Sequence, residues 1–395
     1  MKIVLVHNTY QQPGGEDVVF EQEKALLQRA GHHVATYCRS NHEISKLSAF
    51  DRAMVIPRTI WSSDSHREFS ELLRRENPDV VHIHNTFIMI SPSIYSACRD
   101  HGVPVVQTLH NFRLLCPAAT FFRDGRVCEE CIDDGLRKSV SHGCYRDSRS
   151  ATAAIALVLA VHRRLDTWNE LVDRFIALSD FSRGKFVASG FPAEKVVVKP
   201  NFVDPDPGPR NSDGDGEYAL FAGRLSKEKG LPTLVQAWTH LKTRLPLEII
   251  GDGPEREMLE EQTEASGNRE IVFHGRSSHE ATLAAVKRAR FVVLPSECYE
   301  NFPMSIVEAL ACGTPVICSR LGGMAELIED HRTGLLFTPG NADDLAEKVE
   351  WAVTHPTELA EMGAEARREF ERKYTAEKNY SHLMEIYEST VQTRA

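Results

Sequence analysis

The chain has 395 residues, 42% hydrophobic and 26% charged, with a formal net charge of −10 at pH 7. That length exceeds one ordinary hydrophobic core and predicts two domains. The acidic balance gives no electrostatic reason for a polyanion partner and argues against nucleic-acid binding.

MKIVLVHNTY opens with an apolar run too short for a signal peptide and turns polar at His7, so it reads as a buried first strand. The loop that follows, HNTYQQPGGED, carries Gly14 and Gly15. Consecutive glycines allow positive φ and close approach of backbone to a ligand, although a lone pair more often marks a simple turn. The loop is not a GxGxxG fingerprint, so a nicotinamide enzyme is a weak reading. Residues 17–30 read as a helix stopped by Gly31, and residues 91–100 as another stopped by Gly102. DVVHIH, VPVVQTLH and RFIALS are the next strands. His110 ends the second of these, where a histidine suits a hydroxyl ligand or a proton carrier. An ordinary satisfied loop histidine is the reading for most of the 17 histidines, and among His82, His84 and His110 we single out His110.

Residues 111–149 form an insert holding Cys116, Cys128, Cys131 and Cys144. The CxxC at Cys128 and Cys131 is the tight chelate that tetrahedral zinc favours, and the outer two cysteines would complete a structural Cys₄ site. Packed or free thiols are the competing reading, with redox chemistry behind them. The apolar run at residues 153–161 falls well short of the ~20 residues needed to span a bilayer. With no secretion signal in view, nine cysteines read as thiols or metal ligands, and the expected location is cytoplasmic, extending to peripheral contact with the inner membrane.

Residues 201–217, NFVDPDPGPRNSDGDGE, are dense in Pro, Gly and Asp and read as a linker. The expected organisation is therefore a first domain at 1–200, a linker at 201–216, a second domain at 217–374, and a terminal helix at 375–395 packing back toward the first domain. The linker contains Asp204-Pro205-Asp206 and Asp213-Gly214-Asp215, which would hold a divalent cation on a diphosphate in one reading. Asp, Pro and Gly are also what turns use, and the turn reading is preferred.

Beyond the linker, YALFAG, LEIIGDG, IVFHG, RFVVLPS and TPVICS read as strands, separated by helices near 231–242, 255–265, 279–289 and 303–311. This alternation predicts α/β architecture: two Rossmann-like, doubly wound parallel-sheet domains facing a cleft, with ligands at the carboxyl ends of the strands. GRLSKEKG places Arg224 and Lys229 in such a loop, where two cations would hold a diphosphate and stabilise its departure. An isolated basic loop is more often merely solvated. GDGP brings Gly251 backbone to the same edge.

In PSECYENFPMSIVEALACG, Glu300 stands in the loop and Pro303 suits the first turn of a helix whose free N–H groups form an anion site. Glu308 lies inside that helix. Two carboxylates flanking an anion site suit a ligand with hydroxyls at both ends and phosphates between, because carboxylates accept hydrogen bonds from hydroxyls. A nucleotide sugar has that form.

The motifs together, from Gly14-Gly15 through GRLSKEKG, GDGP and the EX₇E of Glu300 and Glu308 to GTPVI…GG at residues 313–323, resemble the family 4 glycosyltransferases. The resemblance implies a GT-B fold and transfer of a hexose-type sugar, with retention, from a nucleotide diphosphate-sugar donor without a catalytic metal. The Cys-rich insert resembles that of members acting in bacterial surface polysaccharide or glycoconjugate synthesis, and implies a glycan or lipid-linked saccharide acceptor. Carried over, Arg224 and Lys229 bind the diphosphate, Glu308 the ribose and Glu300 the sugar. Backbone from Asn301, Phe302, Pro303 and Met304 lines sugar and phosphates, Gly15 approaches the diphosphate, and His110 reaches a sugar hydroxyl. The family often has His-Asp where this chain has His110-Asn111. A nucleotide-sugar epimerase of the same architecture and a non-enzymatic metal-binding interaction module are the alternatives.

Overall fold

The computed structural model describes residues 1–11, 14–46, 48, 54–210 and 216–394. It divides into two units, one of Met1–Phe121, Cys128–Asn201 and Asn379–Ala395, the other of Phe122–Val127 and Phe202–Lys378. The Asp213-Gly214-Asp215 sequence lies outside the described residues.

The first unit is built on six parallel strands: β1 (Lys2–Thr9), β2 (His33–Ser40), β3 (Val80–Ile83), β4 (Val105–Leu109), β7 (Arg174–Ala177) and β8 (Val196–Val198), in the order β2-β1-β3-β4-β7-β8. Two short strands, β5 (Phe122–Arg123) and β6 (Arg126–Val127), pair as a hairpin. VVHI of β3 and VVQTL of β4 are buried along their whole length, as strands covered on both faces must be. The apolar run of residues 153–161 falls inside the helix Arg149–Arg164, which buries Ile155, Val158 and Leu159. No helix among the described residues is long and apolar enough to cross a membrane.

The last helix, Ala376–Arg394, closes the first unit through Leu383 and Tyr387, both fully buried against Ile3, Leu5, Phe20 and Ile176. Burial of side chains of that size contributes about 1.5–3 kcal/mol each, which holds this helix on the first unit.

The second unit repeats the scheme with β9 (Ala219–Ala222), β10 (Leu247–Ile250), β11 (Ile271–Gly275), β12 (Phe291–Leu294), β13 (Val316–Ser319) and β14 (Gly334–Phe337), ordered β11-β10-β9-β12-β13-β14. In both sheets the strand order reverses direction at one place, between β1 and β3 and between β9 and β12, and such switch points open a crevice at the carboxyl edge.

The segment read as a linker belongs largely to the second unit. Phe202 and Val203 are buried, Asp206 pairs with Arg367 at 2.7 Å, and the Arg210 N–H donates to the Cys312 carbonyl at 2.7 Å. Over residues 202–210 its Pro, Gly and Asp content reflects an ordered, turn-rich path. The Asp206 carboxylate that a metal would require is committed to Arg367, whose guanidinium holds it below the ordinary range.

Candidate active site

In the second unit the loops leaving β9 and β12 meet at the switch point. After β9, a short 3₁₀ turn, Lys227–Lys229, delivers Lys229. After β12 comes Glu300, and the Lys229 Nζ lies 2.6 Å from Glu300 Oε1. The same oxygen accepts from Ser296 Oγ at 2.7 Å, so Oε2 takes no part in either bond. Burial alone would raise Glu300, but the Lys229 charge and the two hydrogen bonds outweigh it and hold the carboxyl below its ordinary value. Lys229 is raised: burial opposes its charge and the facing carboxylate overcomes that. Arg224 lies on the same loop with its side chain exposed.

Glycines allow these loops to touch. Gly251 has φ +143°, its N–H donates to Gly275 O at 2.8 Å, and a Cβ there would lie 1.8 Å from the Gly223 carbonyl oxygen. Gly323 donates its N–H to the Glu300 carbonyl at 3.0 Å, and a Cβ on it would come within 2.7 Å of that oxygen. The GG at residues 322–323 therefore buttresses the Glu300 loop from behind.

The helix Met304–Cys312 starts at Pro303, its N-cap, with no side chain capping its first N–H groups, which leaves them available to an anion. Asn301 and Phe302 are buried, Phe302 edge-on to Tyr374 at 5.9 Å, so these two fix the loop while Met304 begins the helix. Glu308 sits a turn further on, 3.7 Å from His279. Burial pushes its carboxyl up to about 7. The folded protein thus holds a proton on Glu308 that the unfolded chain releases at 4.5, and this contribution to stability falls as pH rises from 4.5 to about 7.

The first unit carries a second polar cluster at its own switch point. The Glu16 carboxylate accepts from Asn85 Nδ2 at 2.9 Å and from Asn111 Nδ2 at 3.0 Å. Burial and then the Asp17 charge push Glu16 up to about 7, against the lowering bond from Asn111. Asn111, standing where the family often has aspartate, thus brings in a carboxylate from another segment. Sequence reading missed Glu16, although it directly follows the glycine pair.

Gly14 is extended at φ −126°, and Gly15 is the first residue of the helix Gly15–Arg29. Neither glycine uses the positive φ that its lack of a side chain allows. The loop is held instead by Asp17, which accepts from the Gly14 N–H at 2.7 Å and contacts His7 Nε2 at 2.7 Å.

His110 Nε2 lies 2.9 Å from His84 Nδ1, and among the described residues His110 Nδ1 has no hydrogen-bond partner. Burial, reinforced by His7 and Lys199, pushes His110 down to about 3. It is neutral at pH 7, which suits a hydroxyl ligand and not a proton carrier.

Glu23, His82 and His84 are the one group among the described residues with three metal-ligand atoms within 4.8 Å of one another. Both His82 nitrogens are already engaged, at 2.7 Å by the Tyr387 hydroxyl and at 2.8 Å by Thr108 Oγ1. Lys199 Nζ stands 3.8 Å from Glu23, so a cation is poorly suited there. The four insert cysteines are not gathered to that degree. Cys131 bonds to Cys116, lowering the Cys116 thiol and raising its own, with Cys144 near enough to raise Cys131 further. Cys128 is partly exposed.

Two family models match the chain: "Glycosyltransferase Family 4" over residues 13–207 and "Glycosyl transferases group 1" over 204–369. An uncharacterized glycosyltransferase of Methanocaldococcus jannaschii is 32% identical over 45% of this chain, and the match spans about half, 49%, of that protein. The 2-deoxystreptamine N-acetyl-D-glucosaminyltransferase of Niallia circulans is 29% identical over 80% of this chain and 77% of its own. Among solved structures, Anabaena HepE in complex with UDP superposes with a TM-score of 0.71 at 19% identity, covering 98% of this chain and 100% of that one. Sucrose-phosphate synthase from Thermosynechococcus elongatus gives 0.72 at 18%, covering 99% of each.

The two models run end to end along the chain, and the architecture shared with the solved structures is the GT-B fold. The protein is an enzyme, a GT-B glycosyltransferase. Within that class its first half matches the family 4 model and its second half the group 1 model.

Proposed function

We propose that the enzyme transfers a hexose-type sugar from a nucleotide diphosphate-sugar to a glycan or lipid-linked saccharide, with retention, in surface polysaccharide or glycoconjugate synthesis. The observation that carries this is the Lys229–Glu300 pair at the switch point, 2.6 Å apart beside an uncapped helix start. Support comes from relatives: HepE has been solved with UDP and with UDP-glucose, and the Niallia circulans enzyme is named for transfer of N-acetylglucosamine.

In this reading Arg224 and Lys229 neutralise the diphosphate, the first N–H groups of the helix Met304–Cys312 face it, and Glu308 holds the ribose. Glu300, pinned by Lys229 and Ser296, offers Oε2 to the sugar hydroxyls. The bond between the anomeric carbon and the β-phosphate oxygen breaks as the acceptor oxygen bonds to the same face of that carbon. The acceptor proton passes to the departing diphosphate. Glu300 orients the donor and does not attack it, which separates this route from a double displacement through a carboxylate nucleophile. In the first unit His110 and Glu16 offer hydrogen-bonding atoms to substrate hydroxyls.

Product anomeric configuration, read by NMR from a reaction run in excess chelator, tests both mechanism and metal independence. Retention at an undiminished rate is expected, whereas inversion, or activity lost to chelator and restored by Mg²⁺ or Mn²⁺, would contradict it. A structural zinc on Cys116, Cys128, Cys131 and Cys144 is a further proposal, supported by CxxC spacing and the Cys116–Cys131 contact. Elemental analysis decides it, because a metal-free protein with four reactive thiols would remove it. Peripheral contact with the inner membrane from the cytoplasmic side belongs to the same proposal.

A further inference from the structure

We propose that Glu23, His84 and His110 form a positioning chain that fixes the proton of His110 on Nε2, so that Nδ1 is presented as a hydrogen-bond acceptor. This rests on the reading of His110 as a ligand for a substrate hydroxyl.

The chain is built from side chains that local sequence does not connect. His82 and His84 alternate along the end of β3 and lie with ring centroids 4.4 Å apart, while His84 stacks on His110 at 5.1 Å and 19°. Between His84 Nδ1 and His110 Nε2, 2.9 Å apart, one nitrogen must carry the proton and the other must accept it. The far side of His84 decides which. His84 Nε2 faces Glu23 Oε2 at 3.9 Å, and neither atom has a hydrogen-bond partner among the described residues.

That distance is too long for a hydrogen bond, but the sign of the interaction is still fixed. A buried carboxylate beside an N–H is attractive, whereas beside a nitrogen lone pair it is repulsive. His84 therefore carries its proton on Nε2 and offers Nδ1 to the His110 Nε2–H. His110 Nδ1, buried and unpartnered among the described residues, is left bare.

An ionised Glu23 has its counter-charge in Lys199. Glu23 and Lys199 are both 1% exposed, with Lys199 Nζ 3.8 Å from Glu23 Oε1. Burial pushes the carboxyl up and the ammonium down, and their mutual attraction opposes both shifts. His82 does not compete for the role, because its two nitrogens are taken by Tyr387 and Thr108. Glu23 and His84 are thus positioning residues, acting on substrate only through His110.

The tautomer is measurable without substrate. Long-range ¹H–¹⁵N correlation on full-length protein labelled at histidine, with His84→Gln and His110→Gln used for assignment, should show wild-type His110 protonated at Nε2 with an acceptor Nδ1. Glu23→Gln should lose that signature and lower kcat/KM about ten-fold, the scale of one misdirected hydrogen bond, while Glu23→Asp restores it in part. A wild-type His110 protonated at Nδ1, or an unchanged tautomer in Glu23→Gln, would overturn the proposal. The wild-type spectrum decides even if the Gln variant does not fold. Because the spectrum contains no donor, failure of the transfer reading would leave this result standing, and the reverse also holds.

Discussion

Glu300→Ala should lower kcat by about 10²–10³-fold while changing donor affinity far less, and Glu308→Ala should do the opposite, raising the donor Kd about ten-fold with kcat nearly kept. The asymmetry follows from placement. Glu300 lies outside the helix, pinned through one oxygen at 2.6 Å to Lys229 and at 2.7 Å to Ser296, so its other oxygen is preorganised for a substrate group. Preorganised groups act on the transition state without reorganisation at the moment of reaction. Removing Glu300 also leaves the Lys229 ammonium without its partner. Glu308, inside the helix, titrates at about 7, so a ribose held by its carboxylate should bind more weakly as pH falls through that value. Glu308→Gln should flatten that part of the profile, and Glu16, also near 7, accounts for what remains. Steady-state kinetics and calorimetric titration of all variants check this. Equal and mild effects from the two alanine changes would return both residues to an ordinary structural role.

The second large effect is on stability. Gly251→Ala should cost more than about 3 kcal/mol and Gly230→Ala a similar amount, seen as a large fall in Tm or loss of soluble protein. A Cβ on Gly251 meets the Gly223 carbonyl at 1.8 Å, and one on Gly230, at φ +66°, meets the Pro295 carbonyl at 2.0 Å. Both obstacles are backbone and cannot rotate away, and both sit in the loops that carry Arg224, Lys229 and Glu300. Gly14→Ala is the control. Its Cβ finds nothing closer than Asp17 Oδ2 at 4.0 Å, so its Tm should stay near wild type. A Gly251→Ala protein that melts with wild type would contradict the close-contact explanation.

The contrast between Gly251 and Gly14 also shows what sequence carries. Strands and helices of the second unit were readable from apolar runs and stops, with the helix expected at 231–242 observed at Leu231–His240 and the one at 279–289 observed at His279–Arg288. Lys229 and Glu300 stand out as candidates because each lies in the loop after a strand, which is a local pattern. Their mutual contact does not, since 71 residues separate them. Glu16 stayed hidden for the same reason: its partners Asn85 and Asn111 come from the ends of β3 and β4, brought to β1 only by strand order. Glu23 falls in the helix read at 17–30 and His84 in the strand DVVHIH, with nothing in the sequence to join them to Lys199. Their significance is set by burial, which composition does not report. Residues 202–210, read as part of a linker, belong to the second unit, and Pro and Gly mark turns equally well in ordered and in flexible chain.

The central claim, a nucleotide diphosphate-sugar donor held by the Lys229–Glu300 corner, is tested most directly by thermal-shift titration with UDP-, GDP-, ADP- and TDP-sugars. At 100 times its Kd the true donor should stabilise the protein by about 2.7 kcal/mol, and Lys229→Ala should abolish that shift. No stabilisation by any of the four classes at millimolar concentration, or an undiminished shift in Lys229→Ala, would contradict it.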